Sequence, residues 1–282
     1  MSGTLYVVAT PIGNLEDITL RALRILGEVA VIAAEDTRRT VKLLNHHGIS
    51  TSAISFHAHN TRARLPELLS RLQRGESIAL VSDAGTPLLS DPGLELVRAC
   101  IDAGILVDPI PGASAPLTAL VASGFPAHPV TFFGFAPNKA NDRKTWLQEI
   151  AAVPHTLVFF ESPHRIEALL ADADQYLVNR PLMLGRELTK LHQEFLRGTA
   201  KELVKRLTSP RGEFTIIVGP ALQITDPVVL DIDSNRVGDD FRHLTESCGL
   251  TRRQAIATLA RKYGRPSREI YASLEEVKGT RP

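Results

Sequence analysis

Short apolar runs alternate with longer segments in which apolar residues return every three or four positions, and residues 1–124 follow this pattern throughout. The short runs suit strands buried on both faces, and the 3.6-residue recurrence suits amphipathic helices. The pattern predicts strands at 5–9, 29–34, 53–56, 78–82 and 105–110, with helices at 15–26, 37–47, 61–74, 94–103 and 115–123. Strands that alternate with helices imply a parallel sheet with crossover helices, and therefore an α/β fold.

Gly124-Phe-Pro-Ala-His-Pro129 interrupts the alternation, because two prolines in six residues break helix and ladder bonding alike. A second α/β unit is expected over 125–221, with strands at 130–135, 156–160, 182–187, 194–198 and 213–218 and helices at 144–152, 165–176 and 200–208. Its late strands have hairpin-like spacing, so a mixed sheet is expected. Residues 221–236 read as a linker and 237–282 as a small helical domain. Thr251 is placed as N-cap of a 252–263 helix, and Gly264-Arg-Pro266 forms a sharp turn before the last helix.

Composition narrows the functional classes. The chain has 282 residues, 44% hydrophobic and 22% charged, as in ordinary soluble proteins. The net charge of +1 hides a local reversal. Asp226, Asp231, Asp233, Asp239 and Asp240 precede a module carrying Arg252, Arg253, Arg261, Lys262, Arg265 and Arg268. Two short basic helices at a tight turn resemble a helix-turn-helix and suit phosphate-backbone contacts. Cys100 and Cys248 suggest neither a disulfide framework nor a thiolate metal site. No segment reads as a signal peptide or membrane span, so a cytoplasmic protein is expected.

Candidate chemistry collects where predicted strands end. Thr10-Pro-Ile-Gly-Asn14, Glu35-Asp-Thr-Arg-Arg-Thr40, His57-Ala-His-Asn60, Ser82-Asp-Ala-Gly-Thr-Pro87 with Ser90-Asp-Pro-Gly93, and Pro111-Gly-Ala-Ser-Ala115 each follow one strand of the first unit. In a doubly wound sheet such ends converge on one crevice, where small residues let a ligand reach main-chain donors. Neither a G-x-G-x-x-G fingerprint nor a Walker lysine loop is present, which argues against Rossmann and P-loop enzymes. His57 and His59, even with His46 or His47, lack a ligand set at metal spacing, so no metal is expected. In the second unit, Glu161, Arg165, Arg186, Glu187 and Lys190 stand at strand ends. They can pair with one another, or serve a phosphate-bearing substrate and proton transfer.

Six motifs together resemble the bacterial ribosomal RNA small-subunit methyltransferase I family, a branch of the tetrapyrrole methylase superfamily. They are Ala9-Thr-Pro-Ile-Gly-Asn14, Ala33-Ala-Glu-Asp-Thr-Arg38, Ser82-Asp-Ala-Gly-Thr-Pro87 with Ser90-Asp-Pro-Gly93, Pro111-Gly-Ala-Ser-Ala115, Glu161-Ser-Pro-His-Arg165 and Arg186-Glu-Leu-Thr-Lys190. The first loop departs from the glycine-rich G-x-G-P-G of the tetrapyrrole enzymes, which favours the RNA branch. The resemblance implies a two-domain tetrapyrrole methylase-like fold (class III methyltransferase) with a small helical, RNA-binding C-terminal domain. It also implies a homodimer, S-adenosylmethionine between the domains, and 2′-O-methylation of a decoding-site cytidine in 16S ribosomal RNA. Carried onto this chain, the donor lies against Thr10, Pro11, Asp83, Ala84, Gly85, Thr86, Ser114, Ala115, Phe133 and Leu188.

Such chemistry needs alignment of donor and attacking oxygen and removal of a proton from a weakly acidic hydroxyl. Asp36, Glu161 and Glu187 are the candidate bases, with Arg38, Arg165 or Lys190 holding phosphate or lowering the hydroxyl's pKa. A tetrapyrrole or precorrin methyltransferase, a non-catalytic RNA-binding assembly factor and a nucleotide hydrolase are the rival readings. The first leaves the basic tail without a purpose, the second leaves the donor loops idle, and the third lacks an acidic cluster for Mg²⁺.

Overall fold

A computed structural model describes residues 2–207, 211–221, 234–247, 250–263 and 267–279. The chain divides into two compact units, Met1–Ala221 and Leu222–Pro282. In the first unit, β1 (Thr4–Val8), β2 (Val31–Ala34), β3 (Ala53–Ser55), β4 (Ile78–Val81) and β5 (Leu106–Ile110) form a sheet of order β3-β2-β4-β1-β5. Every pair in it is parallel. The connecting helices are α1 (Leu20–Glu28), α2 (Thr37–His46), α3 (Thr61–Gln73) and α4 (Leu94–Asp102).

Strand residues alternate between two cores, as the two-residue period requires. Leu5, Val31, Ala33, Ile78 and Leu80 pack with Leu68, Leu72, Leu96 and Cys100 of α3 and α4. On the other face, Val8, Ile32, Ala34, Ala79 and Val81 pack with Ala22, Ile25, Leu26 and Leu44 of α1 and α2. The chain therefore leaves neighbouring β1 and β4 toward opposite faces, which opens a crevice beyond their carboxyl ends.

α5 (Ala115–Ser123) joins this sheet to a second, built from β6 (Val130–Phe135), β7 (Thr156–Glu161), β8 (Leu182–Arg186), β9 (Glu194–Gly198) and β10 (Phe214–Val218). The order is β6-β7-β10-β8-β9; β6 and β7 are parallel and the other pairs antiparallel, a mixed sheet. One face packs against α6 (Ala140–Ala151), α7 (Ile166–Tyr176) and α8 (Ala200–Arg206). Against the other lie Ala119 and Leu120 of α5. Thus α5, which precedes the boundary expected at Gly124, packs on the second sheet.

Two helices differ from expectation for identifiable reasons. The predicted 15–26 helix is a 3₁₀ turn at Leu15–Asp17 followed by α1, because Asn14 and Thr19 each cap their own start. α6 begins four residues before the expected start, and the buried Arg143 in its first turns bonds Asp172 of α7 at 2.6 Å. A salt bridge fills a position that apolar periodicity passes over. Among the described residues Arg180 is the other buried cation, and it has no carboxylate partner there. Its guanidinium donates to the carbonyls of Gly219 at 2.7 Å, His155 at 2.8 Å, Val153 at 2.9 Å and Ile150 at 3.4 Å.

The second unit contains α9 (Ser234–Arg242), a π turn at His243–Ser247, α10 (Arg252–Tyr263) and α11 (Ser267–Gly279). Val237, Leu259, Ile270 and Leu274 form its core, with Phe241, Leu244 and Ile256 packed around them. α9 starts inside the stretch read as linker. The side chain of Gln254 bonds the N–H of Thr251 at 3.0 Å, which secures the start of α10. Cys248, the Gly264-Arg265-Pro266 turn and the linker residues 222–233 lie outside the described residues, as do the side chains of Arg261 and Lys262.

Candidate functional site

The crevice beyond β1 and β4 has a main-chain floor. Thr10 and Gly85 exchange N–H to carbonyl bonds, each 2.9 Å, in an isolated antiparallel bridge. Gly85 holds φ +81°, where an L side chain is strained, and a Cβ there would lie 3.2 Å from Ile12 Cγ2. Thr86 Oγ1 donates to Ala113 O at 3.2 Å and brings in the loop after β5. Three strand-end loops are thereby tied into one wall.

The facing wall comes from the second sheet. Gly134 bends β6 at φ +67°, and its missing side chain leaves room for Ser90 Oγ, 3.2 Å from where a Cβ would stand. After β8, Glu187 and Thr189 both take left-handed backbone, with φ +49° and +65°. Neither is glycine or asparagine, and such strain concentrates at functional sites. The loop is held from three sides. Thr189 Oγ1 accepts the Asn14 N–H at 3.0 Å, Gly13 lies where a Cβ would meet Lys190 Cγ at 2.5 Å, and Gly212 lies where a Cβ would meet Glu187 Oε1 at 1.9 Å.

Between the walls is a cleft of about 310 Å³. Of the predicted donor-binding residues, Asp83, Ala84, Gly85, Thr86, Ser114, Ala115 and Leu188 line it. Thr10 lies in the floor beneath, bonded to Gly85, and its neighbour Pro11 does not reach the lining. Phe133 does not line the cleft; it stacks edge-on with Trp146 at 6.0 Å, and the bulge at Gly134 brings Phe135 to the lining instead. Of the catalytic candidates, Glu161, Glu187 and Lys190 line the cleft. Arg165 backs it through an ion pair with Glu161 Oε1 at 2.5 Å. Asp36 and Arg38 stand outside, paired with each other at 2.7 Å.

Ile12, Arg39, Ser90, Phe160 and Glu213 also line the cleft, with Glu35 and Asp91. Glu35, Arg39, Ser90 and Asp91 belong to loops the sequence marks, but nothing in their spacing separates them from their neighbours. Glu213 arrives at the start of an antiparallel strand, where a strand-end search does not look.

Electrostatics divides the carboxylates. The hydrogen bonds from Arg38 hold Asp36 well below the usual range, at about 2, so it is a poor proton acceptor near neutrality. Burial raises Glu35. Burial, with help from the charges of Glu35, Asp83 and Glu213, raises Asp91 from 3.8 to about 6 despite a hydrogen bond with Ser82. Because the folded value exceeds the unfolded one, the folded protein binds more protons between them. The cost of the Asp91 charge is therefore fully present above pH 6 and vanishes as pH falls below 3.8. Asp91→Asn is expected to raise the melting temperature at pH 7.5 and to lose that gain toward pH 4, as read by thermal melts at both values. Among the described residues, no three His, Cys, Asp or Glu side chains come together as a metal site, and no helix is long and apolar enough to cross a membrane.

Residues 4–204 match the family model described as tetrapyrrole (corrin/porphyrin) methylases. A ribosomal RNA small subunit methyltransferase I from Halalkalibacterium halodurans is 46% identical over 95% of this chain and 93% of its own length. A protein of the same name from Synechocystis sp. is 46% identical over 95% of this chain and 96% of its own. Among solved structures, the methyltransferase CobJ superposes with a TM-score of 0.60 at 19% identity, covering 78% of this chain and 95% of that one. Uroporphyrin-III C-methyltransferase of Thermus thermophilus, solved with S-adenosylhomocysteine, gives 0.56 at 18% identity, covering 79% and 100%. The α/β sheets, the cleft at their strand ends and these relatives agree: the chain belongs to the ribosomal RNA small subunit methyltransferase I family, within the tetrapyrrole methylases.

Proposed function

We propose that the cleft binds S-adenosylmethionine and that the protein methylates the ribose 2′-hydroxyl of a decoding-site cytidine in 16S ribosomal RNA. The observation that carries this reading is the meeting, in one cleft, of a small-residue wall with a strained loop bearing Glu187 and Lys190. The fit to the donor is sound. Ala84, Gly85, Thr86, Ser114 and Ala115 leave main-chain groups accessible, while Leu188, Phe135 and Phe160 offer apolar surface for a purine. When bound, the donor supplies an electrophilic methyl group on a sulfonium.

The chain's own residues do the rest. The apolar side chains displace water and orient the reactants, which supplies most of the gain available from proximity. Glu187 takes the proton of the attacking hydroxyl; Lys190 Nζ, 2.9 Å from Glu187 Oε1, fixes its orientation. Glu161 is less suited to that role because its side chain is 0% exposed and its Oε1 is already engaged by Arg165 and the Ser162 N–H. Asp36 is withdrawn from the cleft by Arg38.

Arg38 is 87% exposed on the first turn of α2, with Arg39 beside it. Cations there oppose the helix dipole, a cost that RNA phosphates offset. Arg38→Ala is expected to weaken RNA binding and to flatten the plot of log affinity against log salt by about 0.7–0.9, as read by titrations across salt concentrations. Exposed Arg253 and Arg268 on the helical unit suit the same partner. The exposed Leu106 on edge strand β5 and Leu117 and Val121 on α5 suit a homodimer, and we place the protein in the cytoplasm with its ribosomal substrate.

Incubation with labelled methyl donor and either free 16S RNA, assembled small subunits or a tetrapyrrole tests the reading. Label on a cytidine ribose of the small subunit or its RNA is expected. Label on the tetrapyrrole alone, or on nothing, would sink it.

A further inference from the structure

The lining of the cleft is unbalanced in charge. Glu35, Asp83, Asp91, Glu161, Glu187 and Glu213 face two cations in the lining, Arg39 and Lys190, and one behind it, Arg165. Arg39 is committed to Asp83 at 3.4 Å and Lys190 to Glu187 at 2.9 Å. No ion pair engages Glu35, Asp91 or Glu213 among the described residues. A second observation is independent of this count. Glu161 is 1% exposed, and its Oε1 accepts from Arg165 and from the Ser162 N–H at 2.6 Å. Its Oε2 is buried with no hydrogen-bond partner among the described residues. A buried carboxylate oxygen without a donor is costly, and such groups in native sites point to something missing.

The missing partner has a definable chemistry. The carboxylates do not converge as a metal-ligand set. Phe135 and Phe160, with ring centroids 5.2 Å apart, together with Leu188 and Ile12, supply apolar and aromatic surface beside them. Aromatic faces next to carboxylates favour a large, weakly hydrated organic cation.

We propose that the cleft selects its occupant by positive charge, with Glu161 as the specificity-determining counter-ion, so that the cationic methyl donor is favoured over its neutral demethylated product. The inference rests on the reading that this cleft holds the donor. In the transfer, the carbon–sulfur bond leaves its electron pair on sulfur, the ribose oxygen forms the new bond to carbon, and its proton leaves through Glu187. The sulfonium becomes a neutral thioether, and the attraction that held it is lost. Product release is thereby driven by the reaction itself.

Calorimetric titration of the full chain at low salt with three ligands tests this: S-adenosylmethionine, S-adenosylhomocysteine, and sinefungin, which carries an ammonium group near the sulfonium position. In Glu161→Gln, affinity for the two cationic ligands is expected to fall about tenfold relative to the neutral one, equivalent to removing roughly 1.4 kcal/mol of charge preference. Asp91→Asn, which keeps the shape and removes a half-buried charge, is expected to shift the ratio the same way should Glu161→Gln fail to fold. A ratio unchanged in the folded variants, or an equal loss for all three ligands, overturns charge selection. Failure of the unsubstituted protein to bind any of the three instead overturns the donor-site reading beneath it.

Discussion

Glu187→Gln is expected to slow single-turnover methylation of small subunits by about 10²–10⁴-fold, the usual worth of a positioned base. The substitution preserves side-chain shape and removes the proton acceptor. Binding of S-adenosylhomocysteine should survive, because the small-residue wall that would hold it lies on the other sheet. The size of the effect follows from how fully the loop is determined. A left-handed glutamate at φ +49° persists because Gly212 leaves room for its carboxylate and Lys190 holds it at 2.9 Å. Gly212→Ala supplies a second handle, since its Cβ would occupy the place of Glu187 Oε1. A rate within tenfold of the unsubstituted protein for Glu187→Gln would remove the glutamate from the base role.

Arg180→Met is expected to cost about 4 kcal/mol of stability, because buried carbonyls that lose a charged donor cost about 1–3 kcal/mol each before water repairs some of them. For a unit of this size the melting temperature should fall by about 10 °C. The guanidinium joins the end of α6, the start of β7 and the end of β10 through four carbonyl acceptors. Burial, with no carboxylate partner among the described residues, pushes its pKa below the ordinary guanidinium range, so the carbonyl dipoles compensate the desolvated charge. Arg180→Lys should recover little, since a single ammonium cannot reproduce the planar fork. A loss below 1 kcal/mol in chemical denaturation would show that the carbonyls find other donors.

The sheets were legible in the chain because their residues obey simple periods. Val31, Ile32, Ala33 and Ala34 form an unbroken apolar run, as a strand covered on both faces must. The small-residue wall was legible too: Asp83 to Thr86, Ser114 and Ala115 all line the cleft that their loops suggested. What escaped the sequence depends on tertiary accidents of phase. A bulge at Gly134 exchanges Phe133 for Phe135, and no local signal announces it. Arg143 and Arg180 are buried, though their types belong to surfaces, because each meets partners far along the chain. Asp36 reads in sequence as a candidate base and Arg38 as a residue to hold phosphate or lower the hydroxyl's pKa, yet at the N-cap of α2 the two are turned toward each other.

The Thr10–Gly85 bridge has a mechanical consequence. Paired main-chain bonds at 2.9 Å make the loops after β1 and β4 a single stiff piece, while the loop after β8 is joined to the first loop by one hydroxyl, Thr189 Oγ1, at 3.0 Å. Because the Thr10–Gly85 pair lies within one wall, that wall keeps its shape whichever side of the cleft moves, and the Asn14–Thr189 bond is the hydrogen bond that ties its first loop to the 187–193 loop. A ligand on that wall therefore meets a surface that is set in advance, while the position of Glu187 is set separately, by the room at Gly212 and the bond from Lys190.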